Sequence, residues 1–155
     1  MGRAIYIVDA ENPNTILWSG TGNQVAANNA NTKYFDKMLY SIPSDVVVVN
    51  QGRASLASQI YVGDMGGQVW RFDINNGAEP GAGLVDGGVI ADLAQDGVTN
   101  GARRFYSAPD LSLDIDRNLN IAIGSGYEAH PLNKNIKDAF YVCLLYTSPS
   151  PRDRG

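Results

Sequence analysis

The stretch Gln59–Asp73, QIYVGDMGGQVWRFD, decides the fold. In it, two short runs of alternating side chains flank a glycine pair. Ile60 and Val62 share one face of the first run, and the aromatic residues Trp70 and Phe72 share one face of the second. A period of two is the pattern of β-strands, and the glycine pair supplies the positive φ that a tight hairpin needs. The stretch therefore predicts a β-hairpin with an aromatic second strand, which is one half of a propeller blade.

Composition and charge favour one turn-rich β domain. The chain has 155 residues, among them 17 Gly and 8 Tyr, and its formal net charge is −4. This length suits one domain, and this composition suits an all-β protein. Because there is no basic stripe, no nucleic-acid binding is predicted. No transmembrane segment is predicted either, because no apolar run approaches the ~20 residues that a spanning helix requires.

Strand patterns recur along the chain at intervals of roughly 55 to 60 residues. The predicted strands are Ile5–Asp9, Thr15–Ser19, Val46–Asn50, Ile60–Asp64, Gln68–Ile74, Val89–Leu93, Arg104–Leu113, Asn120–Gly124 and Ala139–Val142. Gly20–Leu39 and Asn75–Gly88 are predicted to be loops, and Arg103-Arg104 to be a solvated strand start. The pattern predicts an all-β partial β-propeller of about two to three four-stranded antiparallel blades, part of a larger ring of roughly four to eight.

The alternation also predicts which side chains of the central blade are buried. We expect Ile60, Val62, Val69 and Val47 to lie inside and Arg71 to face solvent, because alternate residues of a strand point to opposite faces of its sheet. The carboxylate of Asp64, at a strand end, is expected to cap a turn.

Three segments stand out in the order SIPSDV (Ser41–Val46), YVGDMGGQVWRFDI (Tyr61–Ile74) and IGSGYEAHPL (Ile123–Leu132). Together they resemble the C-terminal β-propeller of PilC/PilY-type proteins, the tip-associated adhesins and assembly factors of bacterial type IV pili. The resemblance extends from Ile5 to Tyr141. It implies a non-catalytic propeller at the bacterial cell surface that acts in pilus assembly, adhesion and twitching motility. The implied partners are pilus machinery proteins and host or abiotic surfaces.

A second function class remains open. Asp9-Ala10 and Leu17-Trp18 resemble the repeats of quinoprotein-like propellers, which include dehydrogenases and envelope-assembly scaffolds. A dehydrogenase of this kind requires a Ca²⁺ site and a catalytic Asp beside its quinone, and the sequence has no adjacent set of acids and ring-stacking Trp. His130 stands without a second His or a Cys nearby and is predicted to be a packed loop residue. We therefore expect no enzymatic activity and no catalytic or cofactor-binding residue.

One loop corresponds to a calcium site of the family that the chain resembles. The family has a loop of the form Asp-x-Asn-Gly-Asp-Gly-x-x-Asp between the same two strands, and its ligand positions fall on Asn50, Gly52, Ala54 and Ser58. Ca²⁺ takes about six to eight oxygen ligands and favours carboxylates among them. None of these four residues has a carboxylate, so we expect no calcium binding here and no cofactor.

A second loop contains Asp114, Asp116 and Asn118 at alternate positions, like the start of a calcium loop. The segment lacks a glycine at the bend and a later bidentate acid. Asp and Asn are also favoured turn residues in their own right. We interpret the segment as a hairpin turn, and keep a metal site as the weaker alternative.

The two ends of the chain call for separate expectations. Met1–Arg3 leads directly into a strand without a signal peptide, so for a protein of this resemblance we expect the native protein to begin further upstream. Cys143–Asp153, CLLYTSPSPRD, matches the in-frame translation of a transposase sequencing adapter. We therefore expect residues 1–142 to form the partial propeller, and residues 143–155 to be foreign to the native protein and unstructured.

Overall fold

The protein folds into three β-sheets. The structure is a computed structural model that describes residues 2–26, 29–50, 56–94, 103–116 and 118–145; in these ranges it contains ten β-strands and no α-helix. Open sheets of this kind fit a partial propeller, so the predicted fold class is confirmed. Of the three sheets, the described residues give four strands only to the central one.

The sheets follow one another along the chain. Sheet one contains β1 (Ala4–Val8), β2 (Ile16–Thr21) and β3 (Thr32–Tyr34). Sheet two contains β4 (Val47–Val49), β5 (Gln59–Gly63), β6 (Gln68–Ile74) and β7 (Val85–Asp92). Sheet three contains β8 (Asp110–Leu113), β9 (Leu119–Gly124) and β10 (Phe140–Leu145). Neighbouring strands are antiparallel, except that β2 and β3 are parallel.

The β5–β6 hairpin forms where the sequence predicts it. Val62 pairs with Trp70 and Ile60 with Phe72, so the two faces of the hairpin have the predicted composition. In the turn, Gly67 has a φ of +81°. A Cβ at Gly66 would lie 2.0 Å from the ring of Tyr40, so a larger residue does not fit there. Both glycines of the turn are therefore required by the structure, one for its conformation and one for its packing.

Sheet two is buried on both faces. Ile60, Val62 and Val69 are each no more than 5% exposed, as predicted. Tyr61, on the opposite face of β5, is also fully buried, because that face packs against sheet three. Val47 and Arg71 are both half-buried instead of one inside and one outside. A one-sided alternation was expected, but β6 is covered on both faces, so Arg71 is not fully solvated. Val47 lies in the edge strand β4, where the neighbouring Val48 is 53% exposed.

Four aromatic side chains form the core between sheets one and two. Trp70 and Phe72 are stacked at 5.8 Å with an interplanar angle of 3°. Phe35 meets both rings edge-on, at 6.0 and 5.5 Å, and Trp18 lies 5.9 Å from Phe72. Aromatic pairs in these geometries add about 0.5–1.5 kcal/mol each beyond the area they bury. This cluster is therefore a major source of the stability that holds the two sheets together.

Two predicted loops contribute regular structure and core residues. The stretch Gly20–Leu39 contains β3 as well as the buried Phe35 and Met38, so the loop prediction is wrong there. Although this stretch is rich in Asn, two of its apolar residues, Phe35 and Met38, complete the core of sheet one. In Asn75–Gly88, the last four residues belong to β7.

The strand β7 begins earlier in the chain than predicted, and the added residues include Gly87 and Gly88. Gly87 pairs with Phe72 and Gly88 with Arg71 in the β6–β7 ladder. A Cβ at Gly87 would lie 2.3 Å from the backbone oxygen of Arg71. The glycine is therefore part of the strand because β6 approaches it closely, and glycine content alone was a misleading loop signal.

The last described strand crosses the predicted domain boundary. Cys143–Leu145 continue β10 and pair with Leu119–Ile121 of β9, so the expectation that these three residues are unstructured is wrong. Cys143 and Leu145 pack against the core between sheets two and three. Alternating apolar side chains beside an unpaired strand edge suffice to extend a ladder, whatever the origin of the residues. Residues 146–155 lie outside the described part, and the adapter origin stays a prediction.

The close approach of β6 and β7 leads to a test. Replacing Gly87 with Ala should lower the free energy of unfolding by about 1–3 kcal/mol, because the new methyl group forces the two strands apart. Gly88→Ala is the matched control, since a Cβ at Gly88 meets no atom within 4 Å. Urea denaturation of both variants measures the difference. Equal stability of the two variants would contradict the close contact.

Candidate functional site

A five-residue motif recurs at the same place in each sheet. The three copies are IYIVD at Ile5–Asp9, IYVGD at Ile60–Asp64 and IAIGS at Ile121–Ser125. Each copy runs along β1, β5 or β9 and ends one residue beyond that strand. The equivalence extends to the next strand, since Ile7 pairs with Trp18 as Val62 pairs with Trp70. The sheets are therefore structural repeats, and we call β1, β5 and β9 the motif strands.

The last residue of the central motif is a buried carboxylate at the β5–β6 turn. Oδ1 of Asp64 accepts hydrogen bonds from the backbone N–H groups of Gly66 (2.8 Å) and Gln68 (3.0 Å). Oδ2 accepts one from Nε1 of Trp70 at 2.9 Å. The backbone oxygen of Asp64 accepts a further bond from the N–H of Phe105 at 3.1 Å. Asp64 thus caps the turn, as predicted, and also links it to the aromatic core and to the segment that enters sheet three.

Burial raises the pKa of the Asp64 carboxyl, while the hydrogen bonds from Trp70, Gln68 and Gly66 oppose that shift. All three donors approach the carboxylate from within the protein. The group is fully buried, so it has no open side toward a substrate. This arrangement is that of a structural carboxylate.

The last residues of the other two motifs also accept hydrogen bonds, but neither of them is fully buried. Oδ1 of Asp9 accepts a hydrogen bond from the N–H of Glu11 at 2.8 Å. Oγ of Ser125 accepts one from the N–H of Ala139 at 2.9 Å. Asp9 is half-buried, so of the two motif carboxylates only that of Asp64 is fully buried.

The three segments that carry the family resemblance meet around the Asp64 turn. The N–H of Met65, within the turn, donates to the oxygen of Ser41 at 2.9 Å. Gly63 packs tightly on Phe105 and Ile123, because a Cβ there would lie 2.6 and 2.8 Å from their side chains. Segments far apart in the sequence are thereby gathered at one end of the sheets. An open groove of about 620 Å³ lies on this surface; it is lined by Arg3, Leu39, Tyr40, Ser41, Pro43, Met65 and Tyr106.

The loop at Asn50–Ser58, which the resemblance likens to a calcium loop, is described only at its two ends. Asn50 is exposed and directly follows β4. The N–H and Oγ of Ser58 both donate to the oxygen of Val49, at 2.8 and 3.2 Å. The Ser58 hydroxyl therefore helps to close the loop. Gly52 and Ala54 lie outside the described residues.

The second candidate loop forms a hairpin turn between β8 and β9. Oδ1 of Asp114 accepts a hydrogen bond from the N–H of Asn118 at 2.8 Å, and Oδ2 accepts one from its Nδ2 at 3.0 Å. These hydrogen bonds lower the pKa of the Asp114 carboxyl, and the bond from the Asn118 side chain has the largest effect. Asp116 is exposed at the turn. Within the described residues, no group of three or more His, Cys, Asp or Glu side chains is arranged to hold a metal.

The two candidate loops occupy equivalent positions, which the sequence reasoning missed. One joins β4 to β5 and the other joins β8 to β9, so each leads into a motif strand from the strand before it. The signal was present in the sequence, because each loop directly precedes a copy of the motif.

Sequence reasoning also missed the arginine contacts at the end of sheet three. Arg103 is buried and donates to Oη of Tyr141 and to the oxygen of Lys137, so the prediction that it is solvated is wrong. The guanidinium of Arg104 lies 4.0 Å from the ring centre of Tyr127, and that ring meets His130 edge-on at 5.0 Å. His130 itself is exposed, so it is a loop residue in contact with this ring and not a buried one. No helix in the described ranges has the length and apolar character needed to cross a membrane.

One solved structure shares this architecture. The C-terminal domain of Pseudomonas aeruginosa PilY1 matches 95% of this chain with a TM-score of 0.55 and 18% sequence identity. The chain has the fold of part of that domain. It spans 31% of the PilY1 domain's length. The resemblance predicted from the three segments is therefore confirmed at the level of the fold. No protein-family model matches the sequence, and no curated protein matches it.

The Asp64 site gives a test of the structural role of its buried carboxylate. In Asp64→Asn, an amide NH₂ takes the place of one carboxylate oxygen and meets an N–H donor. The variant should lose about 1–3 kcal/mol of unfolding free energy, the penalty of an unsatisfied buried polar group. Asp9→Asn is the matched control, because the half-buried Asn retains one oxygen for the N–H of Glu11. Chemical denaturation measures both, and an equal loss at the two sites would contradict a special role for the buried carboxylate.

Proposed function

We propose that the protein is a non-catalytic propeller component of a type IV pilus biogenesis protein. It acts at the bacterial surface in pilus assembly, adhesion and twitching motility. The observation that carries the proposal is the fold shared with the PilY1 C-terminal domain over 95% of the chain. The three ordered segments support it independently, since they meet at one surface around the Asp64 turn.

The chemistry of the two turn carboxylates supports binding instead of catalysis. The carboxylates of Asp64 and Asp114 are both occupied by N–H donors of their own turns. A general acid or base must reach a proton of the substrate within hydrogen-bond distance. Carboxylates that close turns are poorly suited to that task. On this proposal the protein works through its surface, with components of the pilus machinery and with host or abiotic surfaces as partners.

Loss of the gene tests the proposed function. Its deletion in the bacterium that carries it should reduce surface pili, attachment and twitching, and a wild-type copy should restore them. The total pilin level should stay unchanged, which separates an assembly defect from a loss of pilin. Copies with Asp64→Asn and Asp9→Asn form a matched pair, and only the Asp64 variant should complement poorly. Normal piliation and attachment after deletion would refute the proposal.

We further propose that the loop at Asn50, Gly52, Ala54 and Ser58 binds no calcium and that the protein needs no cofactor. The side chains there offer at most neutral oxygens, which leave the charge of the ion uncompensated. The Ser58 hydroxyl moreover donates its hydrogen bond to the backbone oxygen of Val49. Affinity should therefore be weaker than the ~10⁻⁴ to 10⁻³ M of extracellular calcium modules.

Thermal melting of the protein with millimolar Ca²⁺ and with chelator tests whether this loop binds calcium. The wild type should melt at the same temperature in both. The triple variant Asn50→Asp, Ala54→Asp, Ser58→Asp should melt lower in chelator, because a carboxylate at 58 faces the oxygen of Val49, and Ca²⁺ should restore several degrees. A Ca²⁺ shift in the wild type that disappears in Asp114→Ala, Asp116→Ala would place a calcium site in the second loop instead.

A further inference from the structure

The open groove of about 620 Å³ beside the Asp64 turn, which we call the turn groove, is lined mostly by large apolar and aromatic side chains. Two of them are consecutive and open to solvent, since Leu39 is 55% exposed and Tyr40 is 45% exposed. Met65 and Tyr106 line the groove from two other segments. Tyr, Met and Arg are enriched at the centres of protein interfaces relative to the rest of a protein surface. The composition of the turn groove is therefore that of a protein-binding site.

The walls of the turn groove are held in place by contacts of the Asp64 turn. The N–H of Met65 donates to the backbone oxygen of Ser41 at 2.9 Å. The ring of Tyr40 packs against Gly66, where a Cβ would lie 2.0 Å from it. A site whose walls are already ordered loses less conformational freedom on binding than a mobile one. The turn groove is therefore formed before any partner arrives.

The charge of the turn groove is positive. Among the described residues that line it, Arg3 is basic and none is acidic, whereas the whole chain has a net charge of −4. Arg3 is exposed, and its Nη1 lies 3.4 Å from the backbone oxygen of Leu39. A guanidinium has several N–H donors, so this one contact leaves others for a carboxylate, which Arg binds in a bidentate manner. The groove is therefore complementary to an acidic partner.

We propose that the turn groove binds a short segment of another protein that has an apolar side chain within a few residues of an Asp or Glu. The apolar side chain packs among Leu39, Tyr40 and Met65, and the carboxylate pairs with Arg3. The volume of the groove lies in the range of about 300–1,000 Å³ that is typical of sites for small ligands, so it holds a few residues and not a broad protein face. This inference rests on the proposed function, because it names the kind of partner that the binding surface takes.

Selection from a random heptapeptide library displayed on phage tests the proposal. The wild-type protein should enrich peptides that have an acidic and an apolar residue a few positions apart. Binding of the enriched peptides, synthesised with a fluorescein label, is then measured by fluorescence polarisation. A selection that enriches no peptide, or one whose consensus has no acidic residue, would overturn the proposal.

Two aspartate substitutions form a matched pair for the apolar part of the groove. Leu39→Asp should weaken binding of the enriched peptides by at least about tenfold, because it replaces an apolar contact with a charge that repels the carboxylate of the peptide. Leu113→Asp is the control, since Leu113 is 56% exposed and does not line the groove. Equal binding by the two variants would show that the peptides bind elsewhere and would overturn the proposal.

A charge reversal at Arg3 tests the carboxylate contact without relying on a loss of binding alone. Arg3→Glu should bind the acidic peptides at least about tenfold more weakly, and should bind better than the wild type to the same peptides with Lys in place of the acid. Lys134→Glu, at an exposed position outside the groove, should change neither affinity. If the Lys peptides gain nothing with Arg3→Glu, the proposed pairing is wrong.

The peptide measurements and the gene deletion have separate outcomes. Absence of peptide binding would refute the turn groove as a docking site and leave the pilus function standing. Normal piliation after deletion would refute the pilus function, while peptide binding that depends on Arg3 and Leu39 would still establish the groove.

Discussion

The buried carboxylate of Asp64 is the interaction on which the rest of the structure depends. It closes the β5–β6 turn, holds the indole of Trp70 in the aromatic core and, through its backbone oxygen, anchors the segment at Phe105. Each N–H donor left unsatisfied in a buried site costs about 1–3 kcal/mol, and a domain has only about 5–15 kcal/mol in total. The arrangement of all three sheets is therefore tied to this one residue, through its side chain and its backbone oxygen.

The sequence predicted the fold wherever contacts are local. The bounds of β6 were predicted to the residue and those of β5 within one, because a hairpin depends on its own alternation and on its glycine turn. The sequence did not predict the structure where contacts between distant segments decide it. Phe35 is in the core only because sheet two lies opposite, and Gly87 is in a strand only because β6 passes close to it. Composition misled in both places, since Asn and Gly are ordinarily loop residues.

The features of the candidate site can be separated in the same way, into those set by local contacts and those set by contacts between distant segments. The turn positions of Asp64 and Asp114 could be predicted, because an Asp that bonds N–H groups two to four residues ahead is a local motif. The meeting of three distant segments at the Asp64 turn could not, since it depends on the contacts of Met65 with Ser41 and of Gly63 with Ile123. The burial of Arg103, which is stabilised by Tyr141 from β10, could not be predicted either.

The sheets do not stack in one uniform way, and this determines which surfaces are left open. Sheets one and two turn the same motif face toward each other, so that Trp18 and its equivalent Trp70 lie in one core. Sheet three instead packs that face, through Ile121, against the opposite face of sheet two at Tyr61. The central sheet is consequently covered on both sides, whereas each outer sheet has one covered face. Among the described residues, the surfaces left open are therefore the outer faces, the strand edges and the surface around the Asp64 turn, and this last surface is built on a fully buried carboxylate.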